Sequence, residues 1–245
     1  MIAVIGGTGQ VGRHVVRALL AQGEMVACVS RTPCEEISDK VAWRRVESYA
    51  REDVRTALHG CTGAIATLGL PYNGDVWLRE WAPLVTEVTI LPWESIEKVL
   101  TGHSTKLTWI GDPCVHHSFS WVPEIASCLV DVCLNSNFRT HELVNLPVLA
   151  FVSGHEVAQI LSDTTGRTIK VSAMRDPMVA IASPFMASAR QQHEMMYEVD
   201  QDFLVSDDLI RSLGWTHDRL TIEECIRTSM ENSHTAVRLI NHVKP

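Results

Sequence analysis

The stretch Ile2-Ala-Val-Ile-Gly-Gly-Thr-Gly-Gln-Val-Gly12 decides the fold of this 245-residue chain. Its first four residues predict a short buried strand, and three glycines follow with the spacing G-x-G-x-x-G. A helix is predicted over Arg13–Gln22, and a second buried strand over Met25–Val29. Strand, glycine turn, helix and strand form a βαβ unit, which joins two parallel strands.

The glycine turn predicts a site for the pyrophosphate of a dinucleotide. Gly7 and Gly9 let the backbone approach the phosphates closely, and Gly12 lets the helix pack against the strand. The free N–H groups at the start of the helix then face the anion. The residues expected to contact the cofactor here are Gly6, Gly7, Thr8, Gly9, Gln10, Val11 and Gly12.

The end of the second predicted strand selects between the two nicotinamide cofactors. An acidic residue there would bond the 2′-hydroxyl of the ribose and favour NAD, whereas this chain has Ser30-Arg31-Thr32. A guanidinium and hydroxyls suit a 2′-phosphate, so Ser30 and Arg31 predict NADP, with NAD as the other possibility. Thr67, Leu68 and Gly69 end the fourth predicted strand and are expected to lie under the cofactor.

Strands and helices continue to alternate after the first βαβ unit. This pattern predicts an α/β fold: a Rossmann-like parallel sheet with helices on both faces and a small C-terminal α+β lobe. We expect residues 1–140 to form the NAD(P)-binding domain and residues 141–245 to form the lobe that holds the substrate. The further strands are predicted at 41–46, 64–68, 88–91, 107–110, 147–152 and 168–173, and the further helices at 52–59, 75–85, 95–100, 123–134, 154–164, 178–197, 207–213 and 221–230.

Composition excludes several other classes of protein. The net charge is −8, and no Lys/Arg cluster offers a face for nucleic acid. No apolar run approaches the roughly 20 residues of a membrane helix. Seven cysteines without a C-x-x-C pair predict reduced thiols in a cytoplasmic protein. His193-Glu194 lacks the second histidine of H-E-x-x-H, so no metal site is expected.

Three stretches carry a resemblance to a known group of proteins. The form Gly-Gly-Thr-Gly-x-x-Gly resembles the extended and atypical short-chain dehydrogenase/reductase superfamily, including NmrA-like proteins. The segment 111–126, Gly-Asp-Pro-Cys-Val-His-His-Ser-Phe-Ser-Trp-Val-Pro-Glu-Ile-Ala, is similar to one in NAD-dependent epimerase/dehydratase-like proteins, and 184–215 is similar to their C-terminal lobe. The resemblance implies hydride transfer between a nicotinamide and a small carbonyl or hydroxyl compound.

The chain departs from this superfamily at the catalytic pair Tyr-x-x-x-Lys. Its three tyrosines are followed, four residues later, by Asp53, Val76 and Gln201, and none of these is lysine. The stretch between Pro71 and Asp112 is too short for the two strands, helices and active site that relatives place there, which indicates a domain shortened after residue 86. A lineage that lost the site, the use of another acid, and a gene model that lacks a segment remain open explanations.

Two side chains are candidates for the missing proton donor. His117 sits where relatives carry a histidine toward the substrate, and an unperturbed imidazole titrates near pH ~6.5. Tyr72 follows the fourth predicted strand. His117 also has a structural interpretation, as a histidine bonded to a loop carbonyl, and Tyr72 has one as an ordinary loop aromatic residue.

Three functions follow from these observations. The first is an NAD(P)-dependent oxidoreductase or isomerase of the atypical short-chain type, with a small-molecule substrate and a homodimer left open. The second is a non-catalytic NADP-binding regulator or scaffold, as NmrA-like proteins can be, which accounts for an intact glycine turn without Tyr-x-x-x-Lys. The third is a truncated product that folds poorly.

Overall fold

The computed structural model describes residues 1–34, 38–68, 93–135, 138, 144–175, 177, 181, 196–216 and 220–228. The chain divides into two compact units. Unit 1 comprises residues 1–71, 121–147 and 207–217, and unit 2 comprises residues 72–120, 148–206 and 218–245.

Strands and helices alternate through both units. In chain order the elements are β1 Ile2–Ile5, α1 Gln10–Ala21, β2 Val26–Ser30, β3 Val41–Arg45, α2 Arg51–Ala57, β4 Gly63–Ala66, α3 Trp93–Leu100, β5 Lys106–Ile110, β6 His117–Phe119, α4 Val122–Leu134, β7 Ala150–Val152, α5 Gly154–Thr165, β8 Lys170–Met174, α6 Met196–Val199 and α7 Asp208–Ser212. A further helical stretch covers 222–228.

Unit 1 is built on a four-stranded parallel sheet with the order β3-β2-β1-β4. The register pairs Ile2 with Val26 and with Gly63, so the carboxyl ends of β1, β2 and β4 lie at one edge. All residues of β1 and β2 are buried, as expected for central strands that are covered on both faces. This is the βαβ arrangement that the opening stretch predicts.

Helices cover the two faces of this sheet with separate apolar cores. On one face, α1 and α4 pack together and bury Val15, Leu19 and Val130 against Val4 of β1. On the other face, α2 and the residues after it pack against Ala3, Ile5, Ala27 and Val29, which point away from the first core. The alternation of strand side chains between two layers produces the helix–sheet–helix sandwich of a Rossmann-like fold.

The described residues of unit 2 form two small sheets. β5 pairs with β8 in parallel, and β6 pairs with β7 in antiparallel. Their apolar side chains share one core with α3 and α5, including Trp109, Phe119 and Leu161. The Trp109 and Phe119 rings meet edge to face with their centres 6.0 Å apart, a favourable aromatic geometry.

The sequence predicts most of these elements within a few residues. β6 is missed, because three residues carry too little periodicity to distinguish a strand from a loop. The helix predicted over 75–85 and the strand predicted over 88–91 lie outside the described residues, as does the shortening inferred after residue 86. The helix predicted over 178–197 lies mostly outside the described residues, and α6 overlaps its C-terminal end.

The two units interleave along the chain. Segments 121–147 and 207–217 join the N-terminal sheet in unit 1, and segment 72–120 joins the later residues in unit 2. The cofactor and substrate roles expected of residues 1–140 and 141–245 stay predictions. Among the described residues, no helix is both long and apolar enough to cross a membrane.

Candidate functional site

The glycine turn connects β1 to α1 and opens the helix toward solvent. The Gly6 N–H donates to the Val29 carbonyl at 2.9 Å, and the Gly9 N–H donates to the Gly6 carbonyl at 2.9 Å. The first helical hydrogen bond that follows is from the Arg13 N–H to the Gly9 carbonyl, at 3.1 Å. The N–H groups of the residues between Gly9 and Arg13 therefore have no helical acceptor and point out of the helix end.

The N-terminus of α1 has no capping or acidic side chain among the described residues. Within the part of the chain that the structure describes, no side chain caps the helix at Gly9, and the first turn contains no acidic residue. The free N–H groups and the helix dipole together leave a partial positive charge at this point. Such an end is suited to bind an anion such as a pyrophosphate.

Two of the glycines are required by close contact within the protein. A Cβ on Gly12 would lie 2.1 Å from the Gly6 carbonyl oxygen, and a Cβ on Gly7 would lie 2.6 Å from Cys28 Sγ. Gly9 has a milder contact, because among the described residues its Cβ would meet the Gly6 carbonyl oxygen at 3.1 Å. Gly9 is exposed, so a phosphate group is able to approach its backbone.

Thr67 and Leu68 lie next to this turn, and their contact with a cofactor stays a prediction. Thr67 follows β4, and its backbone N–H donates to the Ile5 carbonyl at 2.9 Å. Its hydroxyl lies 3.0 Å from that oxygen and 3.2 Å from the Gly6 carbonyl. Leu68 is 42% exposed and approaches Gly6. Thr67 therefore ties the end of β4 to the glycine turn, while Gly69 lies outside the described residues.

The residues at the end of β2 form a second polar cluster at the same sheet edge. The Thr32 hydroxyl lies 3.1 Å from the Thr8 hydroxyl of the glycine turn. The Ser30 hydroxyl donates to the Thr32 carbonyl at 2.6 Å. Arg31 is exposed, and its guanidinium carbon lies 5.6 Å from the centre of the Tyr49 ring. The Arg31 cation thus rests on the face of the Tyr49 ring, at the same sheet edge as the turn.

One contact of this cluster was missed from the sequence. The indole N–H of Trp43, on β3, donates to the Ser30 hydroxyl at 3.1 Å. Trp43 pairs with Cys28 across the two strands, which places its side chain diagonally next to Ser30. The contact between Trp43 and Ser30 depends on the register of β3 against β2, and neither strand alone predicts this register.

Cys28 lies buried under the glycine turn. Burial raises the pKa of its thiol to about 12, with a further contribution from the neighbouring Cys34. The thiol is therefore neutral at physiological pH and places no negative charge below the phosphate position.

His117 is placed by β6 in the interior of unit 2. The residue is 2% exposed, and its Nε2 has no hydrogen-bond partner among the described residues. Burial lowers its pKa below the ordinary value, and this effect outweighs the opposite effects of Asp202 and of the Val199 backbone. His117 is therefore mainly neutral at pH 7, and its roles as proton donor or as structural histidine stay predictions.

The neighbouring His116 has different contacts. Its Nε2 lies 3.1 Å from a carboxylate oxygen of Glu156, and its backbone N–H donates to Asp202 at 2.8 Å. No group of three or more His, Cys, Asp or Glu side chains that could hold a metal ion occurs in the described parts of the chain. Tyr72, the second candidate proton donor, and the His193-Glu194 pair lie outside these parts.

The N-terminal segment combines β1, the glycine turn and the uncapped start of α1 with Arg31 at the end of β2. Residues 2–67 match the model of the NAD dependent epimerase/dehydratase family. The match contains the glycine turn, Arg31 and Thr67, so the resemblance drawn from the glycine motif is confirmed over this segment. A search of curated protein sequences finds no match.

Solved structures of this group share the fold over nearly the whole chain. An NADPH-dependent quinone oxidoreductase from Escherichia coli has a TM-score of 0.68 and 13% identity, and the match covers 94% of this chain and 100% of that one. A triphenylmethane reductase from a Citrobacter species, complexed with NADP(H), has a TM-score of 0.65 and 14% identity, with 93% and 99% covered.

An epimerase in complex with NAD has the same fold. The UDP-glucose 4-epimerase of Thermus thermophilus has a TM-score of 0.61 and 14% identity, with 92% of this chain and 96% of that one covered. The predicted Rossmann-like α/β fold is thereby confirmed. NADP(H) and NAD, the two cofactors expected from the sequence, are each bound by a structural neighbour.

Proposed function

We propose that the chain is an NAD(P)-dependent oxidoreductase or isomerase of the atypical short-chain type, which prefers NADP and acts on a small carbonyl or hydroxyl compound. The observation that carries the proposal is the uncapped start of α1 beside Gly9, with Arg31 at the end of the adjacent strand. The match of residues 2–67 to the epimerase/dehydratase family supports it.

The described residues supply the binding part of this activity. Backbone N–H groups after Gly9 donate to the pyrophosphate, and the exposed position of Gly9 lets it approach. The Arg31 guanidinium pairs with the 2′-phosphate, which distinguishes NADP from NAD. When bound, the nicotinamide supplies or accepts the hydride.

The proton that accompanies hydride transfer needs a group outside the usual Tyr-Lys pair. His117 is neutral at pH 7, and its unpartnered Nε2 is able to accept a hydrogen bond or a proton. This form suits the oxidation of a hydroxyl group, in which a base removes the proton. Tyr72 stays the second candidate. Substitution of His117 by Asn without a change in turnover would remove His117 from the reaction.

A non-catalytic NADP-binding regulator is the second candidate function. The observation that favours it lies in the sequence, since none of the three tyrosines has a lysine four residues later. The binding site in unit 1 would then sense the cofactor without using its hydride. The predicted cytoplasmic location and the question of a homodimer stay predictions in either case.

One experiment separates these two functions. The purified chain is incubated with NADPH carrying deuterium at the reactive C4 position and with a panel of quinones, aldehydes and ketones, and products are examined by mass spectrometry. An enzyme transfers the label to a product, and heat-denatured protein does not. Binding of NADPH without transfer to any compound would favour the regulator. If neither binding nor transfer occurs, both functions are excluded.

A further inference from the structure

We propose that Trp43 is a positioning residue for recognition of the cofactor's 2′-phosphate, through a hydrogen-bond relay from its indole N–H to Ser30 and on to the backbone of Thr32. This inference rests on the proposed binding of NADP at the end of β2. It assigns selectivity between NADP and NAD to a residue on the neighbouring strand β3, in addition to Arg31 itself.

The relay begins with a buried hydroxyl. Ser30 is 0% exposed, so solvent does not fix the orientation of its side chain. Its oxygen accepts the Trp43 N–H at 3.1 Å, and its single hydrogen is donated to the Thr32 carbonyl at 2.6 Å. Bonds in such a chain polarise and strengthen one another. The N–H of Trp43 therefore holds the Ser30 hydroxyl in the orientation that binds Thr32.

The hydroxyl of Ser30 has a second polar neighbour. The thiol of Cys28 lies on the same face of β2 and interacts with the Ser30 side chain. Rotation of the hydroxyl toward this sulfur would release the Thr32 carbonyl. A thiol is a weaker acceptor than a carbonyl, and the donor from Trp43 adds to the preference for Thr32.

The relay fixes both neighbours of Arg31 in the chain. Ser30 is held by β2 and by Trp43, and Thr32 is held by Ser30 and by the Thr8 hydroxyl at 3.1 Å. The backbone of Arg31 lies between these two fixed points, and its guanidinium rests over Tyr49. A cation fixed before binding loses less conformational entropy when it pairs with a phosphate. Loss of the relay should therefore weaken binding of the 2′-phosphate specifically.

The test is calorimetric titration of the full chain and its Trp43→Phe variant with NADPH and NADH. Phe keeps an aromatic ring and removes the N–H donor. We expect NADPH affinity to fall about five- to tenfold, in line with the loss of one buried hydrogen bond, and NADH affinity to change less than about twofold. Titration with adenosine 2′,5′-bisphosphate and with AMP should give the same contrast, since these probes differ only in the 2′-phosphate.

A double-mutant cycle distinguishes positioning from a general structural effect. If Trp43 acts through Arg31, Trp43→Phe in an Arg31→Ala background changes NADPH affinity by less than about twofold, because the interaction is already lost. Ser30→Ala breaks the same relay at its centre and provides a second variant if Trp43→Phe does not fold. The role of Trp43 would be overturned if Trp43→Phe weakened NADPH and NADH binding equally. It would also be overturned if Trp43→Phe lowered NADPH affinity by the same factor in the Arg31→Ala background as in the unmodified chain.

Failure of the proposed function has a different signature. If the unmodified chain binds neither dinucleotide, the cofactor site is wrong and the relay has no role in recognition. If it binds NADPH and NADH equally, the dinucleotide site stands and the 2′-phosphate site is wrong. If it prefers NADPH and Trp43→Phe keeps the full preference, only the inference on Trp43 fails.

Discussion

Gly12 and Gly9 have different roles at the scale of single residues, although they lie in the same turn. A Cβ at Gly12 would collide with backbone atoms of Gly6 and Gly7, at 2.1–2.8 Å. Backbone atoms cannot rotate away as the end of a side chain can. At Gly9 the backbone is extended, with φ of −73°, which an alanine adopts readily. Its Cβ would meet the Gly6 carbonyl oxygen at 3.1 Å, a much smaller conflict than the one at Gly12.

These contacts predict different results for two alanine substitutions. Gly12→Ala should lower the free energy of unfolding by about 2 kcal/mol or more, because the turn must shift. Gly9→Ala should lower it by less than Gly12→Ala does, because the Gly6 carbonyl oxygen must shift by only a few tenths of an ångström. It should still weaken NADPH binding at least about tenfold, because the added methyl group occupies the phosphate position. Urea denaturation and calorimetric titration measure the two effects.

The two variants serve as controls for each other. Gly9→Ala tests whether NADPH affinity falls without a large loss of stability. Gly12→Ala shows how far distortion of the turn lowers the free energy of unfolding. A Gly9→Ala variant that binds NADPH as tightly as the unmodified chain would place the phosphates elsewhere.

His117 makes the stability of the protein depend on pH. Its folded pKa is lowered by burial, so the unfolded chain binds a proton more readily than the folded chain. Above an unfolded pKa of about 6.5 the group contributes no pH dependence, and below it the stability falls until the pH reaches the lowered folded pKa. The destabilised range therefore starts near pH ~6.5 and extends toward acid.

His117→Asn should remove this contribution and keep a polar side chain at the buried position. The prediction is a smaller loss of unfolding free energy between about pH 6.5 and 5.5 in the variant than in the unmodified chain, measured by urea denaturation. His14, whose pKa is also lowered by burial, is present in both proteins and cancels in the comparison. The exposed His103, substituted in the same way, is the control. Parallel pH profiles for His117→Asn and the unmodified chain would show that burial of His117 does not matter.

At the scale of elements, α5 has a complete N-terminal cap. The Ser153 hydroxyl accepts the Glu156 N–H at 3.3 Å, and the Glu156 carboxylate accepts the Ser153 N–H at 2.7 Å. These two bonds form a capping box. The Ser153 N–H and the Ser153 hydroxyl both donate to the Glu156 carboxylate, and these two bonds lower the pKa of Glu156 below its ordinary value.

Ser153→Ala is expected to lower the free energy of unfolding by about 1 kcal/mol, a typical value for loss of an N-cap side chain. Thr164→Ala, near the other end of the same helix, is the matched control. The exposed Thr164 hydroxyl bonds back to the Ile160 carbonyl, so its removal should be neutral or slightly stabilising. Chemical denaturation of both variants measures the difference, and equal effects would mean that the capping box does not stabilise α5.

The sequence predicts the elements whose signal is local. β1, the glycine turn and α1 follow from one continuous stretch, and Thr67 is placed correctly because the carboxyl ends of parallel strands meet at one edge. The pairing of β5 with β8 has no local signal, since it joins strands about 60 residues apart. The contact of Trp43 with Ser30 depends on strand register, and the buried state of His117 depends on the fold of unit 2. These features need the three-dimensional structure.

At the scale of the whole molecule, the proposed binding site lies within unit 1. The glycine turn, the end of β2 and the end of β4 all belong to this unit, and its sheet positions all three. A ligand that binds the folded state shifts the unfolding equilibrium by mass action. Cofactor binding should therefore be visible as increased stability of this unit.

Hydrogen exchange followed by mass spectrometry measures that increase by segment. With free NADPH at about 100 times its Kd, amides of unit 1 that exchange by unfolding should gain about 2.7 kcal/mol of protection. The amides between Gly9 and Arg13 should also slow, because they donate to the pyrophosphate. The Arg31→Ala variant at the same NADPH concentration is the control, and its amides should gain less protection from exchange. No change in the segment 1–34 would place the binding site elsewhere.

The claim that the turn from Gly6 to Gly12 and Arg31 together bind NADP is tested most directly by calorimetric titration of the purified chain with NADPH and, separately, with NADH. The predicted result is one site that binds NADPH at least about tenfold more tightly than NADH, which reflects the charge-assisted contact of Arg31 with the 2′-phosphate. Absence of binding for both dinucleotides would contradict the claim and remove the basis for the proposed activity.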